Sequence, residues 1–360
     1  MNILIAGDWH SELHEETVYR AFEALGHQPH RFAWHQYFQP AGSVARLSAK
    51  VQNRLLAGPL IARINRDFVQ KAAETRPELV FIYRGTHVTP HTVRAIKAML
   101  PATIIAGYNN DDPFGPGQPR RLWRHFLACL PFYDLTLAYR HHNLAEFEAQ
   151  GARCVRLLRS WFMPERNHPV VLSAADREKF TADVVFVGHY EADGRLEYLE
   201  EIVRQGYKLR LFGPGYEWDP VIARSRWLKD QSPVQLVWGE DYNKALCGSK
   251  IALCFFSRLN RDTYTRRCFE IPATGTLMLC EYSADAATLF APGRDADFFR
   301  DGQELAAKLK LYAGDDVLRT QVAAAGKMRV WADGHDVISR MRQVLQWVDK
   351  LKAKRAPAHA

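Results

Sequence analysis

Short apolar runs recur along the chain at Ile3–Ala6, Leu79–Tyr83, Ile104–Tyr108, Leu135–Ala138, Asp183–Gly188, Leu209–Phe212, Ile251–Phe256 and Thr276–Cys280. Each is bounded by glycine, proline or polar residues and has the length of a buried strand. Further strands are predicted at His30–Trp34 and Cys154–Leu158. Between them the apolar positions switch to helical spacing. Helices are predicted over Glu15–Leu25, 43–76 with a break at Gly58-Pro59, Asn143–Gln150, Tyr242–Cys247, Glu304–Tyr312, Val317–Val330 and Asp336–Lys352. The last has Val337, Ile338, Met341, Val344, Leu345, Val348 and Leu351 on one face. Strand and helix in alternation predict an α/β protein with parallel sheets. The stretch Pro164–Asp183 is poor in apolar residues and reads as a linker. Two domains are therefore expected, 1–170 and 171–335, followed by a helix over 336–352 and a disordered tail over 353–360.

Composition adds limits. The chain has 360 residues, enough for two domains with full cores, and 47% apolar against 24% charged residues is ordinary for a globular protein. No apolar run approaches the roughly 20 residues that span a bilayer. The N-terminus enters a strand at once, so no signal peptide is expected. Six cysteines without CxxC spacing read as reduced core residues of a cytoplasmic protein, not as metal ligands. The net charge of +8 is uneven: residues 1–170 carry 20 Lys/Arg against 14 Asp/Glu, the remainder 28 against 26. No nucleic-acid-binding pattern accompanies the basic half, so nucleic acid is not an expected partner.

Candidate chemistry lies at strand ends, where parallel sheets hold ligands. In Ser249–Tyr282 a strand, a polar loop, a helix from near Thr263 and a second strand form one βαβ unit. That helix carries Arg266, Arg267 and Glu270, and the loop before it carries Asn260 and Asp262. Guanidiniums suit a diphosphate, and a carboxylate suits ribose hydroxyls. The plainer reading of the arginines is a solvated helix face. Gly188 ends another strand where only glycine lets backbone approach a phosphate, and Gly213-Pro214-Gly215 is the kind of turn that tends to face a base or ribose. In the first half, Asp8 and His10 follow the first strand without a GxGxxG fingerprint, so dinucleotide binding is not expected there. They sit where a cleft residue would sit, and a surface loop explains them as well. His87 lies in the exit loop of the third strand. Asp111-Asp112-Pro113 could bind acceptor hydroxyls, supply a general base, or form an Asx-type turn. A metal there is not expected, and the tandem His141-His142 reads as exposed. Residues 43–76, with Arg46, Lys50, Arg54, Arg63 and Arg66 between apolar positions, read as helices packed on the sheet with a solvated basic face. The alternative is contact with a membrane surface or acceptor through basic residues 46–71.

The run RxFEIPATGxLML, Arg267–Leu279, resembles the nucleotide-sugar end of GT-B glycosyltransferases, in particular the CgeB-like, spore-maturation-protein group. Asp111-Asp112-Pro113, Phe298–Gly302 and the H-x-x-x-x-R of His335 and Arg340 resemble the same group. The resemblance implies two Rossmann-like domains facing across a cleft, with the final helix returning to the N-terminal domain. It implies that Glu270, before the Ala273-Thr274-Gly275 turn, binds the donor ribose, with Asp262 in the place of an upstream acid usually found as Glu. A basic residue near Arg195 would face the donor phosphates. The expected activity is metal-independent transfer of a sugar from a nucleoside-diphosphate sugar to a hydroxyl acceptor such as a glycan, lipid-linked glycan, protein or small molecule, with no cofactor. Retention of configuration is expected; inversion would need Asp112, Asp111 or His10 as base, with Asp8 and His87 on the acceptor side. The alternatives are a non-catalytic nucleotide-sugar-binding regulator of the same fold and a GT-B-like sugar epimerase.

Overall fold

The computed structural model describes residues 1–355. Its chain divides into two units, Met1–Arg159 with Val337–Ala360, and Ser160–Asp336. Unit 1 is built on a six-stranded, all-parallel sheet of β1 (Asn2–Gly7), β2 (Gln28–Ala33), β3 (Leu79–Tyr83), β4 (Ile104–Asn109), β5 (Leu135–Ala138) and β6 (Val155–Leu157), in the order β2-β1-β3-β4-β5-β6. Unit 2 repeats the plan with β7 (Ala182–Val187), β8 (Leu209–Phe212), β9 (Ser249–Cys254), β10 (Leu277–Glu281) and β11 (Asp297–Phe299), in the order β11-β10-β9-β7-β8. In both sheets the winding reverses beside the first strand, between β1 and β3 and between β7 and β9. The carboxyl ends of those four strands are where such sheets leave a crevice for ligands.

The central strands β3 and β4 are buried along their whole length, which is why they read as continuous apolar runs rather than alternating ones. Leu4, Val80, Ile82, Ile105 and Phe68 meet in the core of unit 1, and Val184, Phe186, Ile251, Leu253 and Leu279 in that of unit 2. Three helices of unit 1 matter below: α1 (Thr17–Ala24), α2 (Ser43–Leu55) and α3 (Pro59–Thr75). Gly58 and Pro59 separate the last two, Pro59 at a first-turn position where its missing N–H costs nothing.

Some boundaries differ from expectation for identifiable reasons. The helix carrying Glu270 starts at Arg267, not near Thr263, and runs through Pro272 to Ala273. The Thr263 hydroxyl donates to Asp285 at 2.7 Å, and the buried Tyr264 hydroxyl accepts from the Ser160 amide at 2.9 Å. Those bonds hold 263–266 as a loop. The predicted linker contains a helix, Ala174–Phe180, started by a reciprocal Ser173–Asp176 capping box. The helices Pro90–Met99 and Arg120–Cys129 went unassigned in the sequence, although Thr89 before Pro90 is a start signal. The final helix, Val337–Arg355, belongs to unit 1 and is held near its end by Lys352 on Glu78 at 2.7 Å and by Arg355 on Asp134. It runs three residues into the expected tail; 356–360 lie outside the described residues.

Candidate functional site

In unit 2, β7 ends at Val187 and passes into Gly188. The Gly188 amide donates to Phe212 O at 2.9 Å, and its carbonyl accepts from Trp218 Nε1 at 2.9 Å. Both backbone groups are thus used inside the fold, which corrects the idea that Gly188 offers an amide to a phosphate. What the missing side chain leaves room for is the Phe186 ring and Arg267: a methyl built on Gly188 would lie 2.8 Å from Phe186 Cζ and 3.2 Å from Arg267 Nη1. Gly213 is likewise a packing glycine, since a methyl there would meet the Gly188 carbonyl oxygen at 2.2 Å and Trp218 Nε1 at 2.7 Å.

Arg267 therefore stands over the carboxyl end of β7, with its guanidinium 5.9 Å from the centre of the Phe186 ring. Its Nε is buried without a partner, and it has no ion-pair partner among the described residues. Glu270, one turn on, is buried and accepts from the Tyr242 hydroxyl at 2.8 Å. Burial, then the Glu270 carboxylate, push the Tyr242 phenol well above its usual range, so it stays a donor. Glu270 is thus oriented by a phenol and forms no salt link among the described residues.

Arg195 is a different case. It is 2% exposed, and its Nε donates to Asp193 Oδ1 at 2.8 Å while Nη1 donates to His189 O at 2.6 Å. Its charge is neutralised inside the 189–195 loop. Asn260 and Asp262 lie in the loop after β9, which is closed by Asp262 N on Ser257 O at 2.8 Å and by Arg261 in the left-handed region at φ 47°. Arg266 precedes the helix and is half-buried.

In unit 1, two non-glycine residues adopt left-handed backbone on either side of the winding reversal, Trp9 after β1 (φ 60°) and Arg84 after β3 (φ 61°). Such residues cost about 1–3 kcal/mol each and cluster at functional sites. Next to Trp9, His10 Nδ1 lies 2.6 Å from Asp8 Oδ2, and the imidazole side chain is 52% exposed. A carboxylate on Nδ1 fixes the tautomer and leaves Nε2 as a base. The Asp8 amide donates to Glu15 Oε1 at 2.9 Å. Glu15 is buried against Gly7, with its carboxyl raised by burial above the usual range. No sequence signal marked Glu15.

The other candidates of this half are structural. Asp112 is 0% exposed; its Oδ1 accepts from the Phe114 amide and from Asn143 Nδ2, both at 3.0 Å, and His142 Nε2 lies 3.2 Å from Oδ2. The Asp111 amide donates to Asn109 Oδ1 at 3.0 Å, and its carboxylate pairs with Arg84 Nη2 at 2.7 Å. The motif is the Asx-type turn, and burial denies Asp112 the part of a base. His87 is also corrected. Burial, then His125 and Arg84, hold its pKa down to about 3, so it is neutral, with Nδ1 2.9 Å from Thr86 Oγ1 and Nε2 2.8 Å from Asn53 Oδ1. Both ring nitrogens are engaged within unit 1.

Two groups of side chains have metal-ligand types. Asp112, His142 and Glu146 converge in unit 1, and Cys254, Cys268 and Cys280 in unit 2, each set with its donor atoms within 4.8 Å of one another. The three thiols lie on β9, the Arg267–Ala273 helix and β10, all fully buried. Their spacing along the chain gave no hint of this convergence.

Residues 195–346 match the family model described as glycosyl transferase-like. No curated protein matches the sequence significantly. Among solved structures, the chain is similar to sucrose-phosphate synthase from Thermosynechococcus elongatus, with TM-score 0.68 and 14% identity over 98% of this chain and 100% of that one. It is similar to Anabaena HepE in complex with UDP and glucose, with TM-score 0.63 and 14% identity over 97% and 100% of the two chains. It is also similar to α,α-trehalose 6-phosphate synthase from Burkholderia multivorans, with TM-score 0.65 and 12% identity over 99% of each. Identities this low show the fold. No helix among the described residues is long and apolar enough to cross a membrane. The chain has the GT-B fold of two parallel-sheet units, and its C-terminal half carries the glycosyl transferase-like pattern.

Proposed function

We propose that this protein is a glycosyltransferase that takes a sugar from a nucleoside-diphosphate sugar and passes it to a hydroxyl acceptor. The observation that carries the reading is Arg267, a half-buried guanidinium without an ion-pair partner among the described residues, at the carboxyl end of β7 and one helical turn from the Tyr242-oriented carboxylate of Glu270. In this reading Arg267 meets the diphosphate and Glu270 the ribose hydroxyls. Cationic stabilisation of the departing diphosphate lowers the barrier as the glycosidic bond breaks. The UDP complex of HepE, of the same fold, supports a nucleotide-sugar donor.

Retention, the expected course, needs no protein base, because the leaving phosphate can take the acceptor proton. One observation favours inversion as the second reading: His10, held by Asp8 at 2.6 Å and open to solvent, is placed as a base at the edge of β1. The test is release of the nucleotide, a nucleoside diphosphate from UDP-, GDP- and dTDP-sugars or CMP from CMP-sugars, with and without acceptors, in the wild type and Glu270→Ala. Turnover of one donor, lost in the variant, is expected. Binding without turnover of any donor makes the protein a nucleotide-sugar-binding regulator, and conversion of a donor without release makes it an epimerase. The anomeric configuration of the product, read by NMR, separates retention from inversion.

A further inference from the structure

Helix α2 lies on unit 1 with one side chain, Ala49, fully buried. At about 100° per residue, Val44, Leu47, Val51 and Leu55 fall within an arc of about 80°, whose centre stands about 160° from Ala49. That apolar stripe therefore points away from the core of unit 1, and it is exposed: Val44 by 81%, Leu47 by 64%, Val51 by 47% and Leu55 by 42%. Arg46, Lys50 and Arg54, one turn apart, form a second stripe along its side, and none has an ion-pair partner among the described residues. Between Glu23 and Asp67 the chain contains no acidic side chain. Four aliphatic side chains aimed at water need an occupant, and the cations beside them choose its sign.

We propose that α2 is an interfacial helix that seats unit 1 on an anionic lipid surface, its apolar stripe among the acyl chains and its cations at the headgroups. An apolar stripe flanked by basic residues, with no acid, is the composition of helices that lie in the bilayer plane. A second copy of the chain would place Arg46, Lys50 and Arg54 against their own counterparts, which the charge opposes. The helix is also tied to the exit loop of β3, where Asn53 Oδ1 accepts from His87. The proposal stands apart from the donor reading, because lipid binding is measured without any nucleotide sugar.

The experiment is cosedimentation of the full chain with vesicles of phosphatidylcholine alone and of phosphatidylcholine mixed with phosphatidylglycerol. Partition to the anionic vesicles is expected. The variant Arg46→Gln/Lys50→Gln/Arg54→Gln should lose it roughly 100-fold, at about fivefold per cation. The variant Leu47→Ser/Val51→Ser, at exposed positions that leave the fold intact, should lower it about tenfold or more. Leu47→Trp should give a blue-shifted emission with anionic vesicles only. Three results overturn the proposal: no partition to either vesicle, partition untouched by Leu47→Ser/Val51→Ser, or a concentration-dependent dimer that this variant abolishes.

Discussion

Arg267→Met separates a binding cation from a structural one, because the two roles predict opposite signs. In the free protein the guanidinium has a buried Nε without a partner and no ion pair among the described residues. A buried donor left unsatisfied costs about 1–3 kcal/mol, whereas the contact with Phe186 at 5.9 Å contributes about 0.5–1 kcal/mol. Methionine keeps the length of the side chain and removes both. Stability of the free protein should thus be unchanged or rise by up to about 2 kcal/mol. The donor side moves the other way. Each charge-assisted hydrogen bond to a diphosphate oxygen contributes about 1.5–3 kcal/mol, so one lost bond weakens the donor roughly 10- to 150-fold and a bidentate pair roughly 10²- to 10⁴-fold. Urea unfolding gives the first quantity and titration calorimetry with the active donor gives the second. A loss of more than about 3 kcal/mol in stability with unchanged donor Kd would mean a fold-holding arginine, and the reasoning would fail.

Other perturbations are sharp enough to check. His87, held near pKa 3 when folded, takes a proton near 6.5 when unfolded, so its contribution is full above about pH 6.5 and drains as pH falls towards 3. At pH 5 that amounts to about 2 kcal/mol, and the stability difference between pH 7.5 and 5 should shrink by that much in His87→Asn; an unchanged slope would contradict it. Gly213→Ala drives a methyl into the Gly188 carbonyl and should cost about 2–4 kcal/mol in urea unfolding, while Gly302→Ala, with nothing within 4 Å, should be neutral; equal effects would refute the packing argument. If His10 is the base, His10→Ala lowers kcat about 10²- to 10⁴-fold with donor Kd unchanged, and full turnover would remove it from the chemistry.

The sheets were legible because their strands are buried on both faces and so stand out as uninterrupted apolar runs. The break at Gly58-Pro59 was legible through backbone chemistry. What escaped is partner choice. Arg195 reads as a free cation until Asp193, two positions before it, is seen to neutralise it. His87 and Asp112 occupy strand-end loops of the expected kind, yet their nitrogens and oxygens are consumed by Asn53, Thr86, Asn143 and the Phe114 amide. Glu15 under Gly7 and the three thiols of Cys254, Cys268 and Cys280 come together only through the sheet's crossovers, which no local pattern encodes.

The central claim concerns one guanidinium and one carboxylate, so a structure of the protein with its stabilising donor tests it most directly. The account predicts diphosphate oxygens within hydrogen-bond reach of Arg267 and the ribose hydroxyls on Glu270, with Tyr242 still donating to that carboxylate. A nucleotide bound elsewhere, with Arg267 and Glu270 unmoved and untouched, would contradict it.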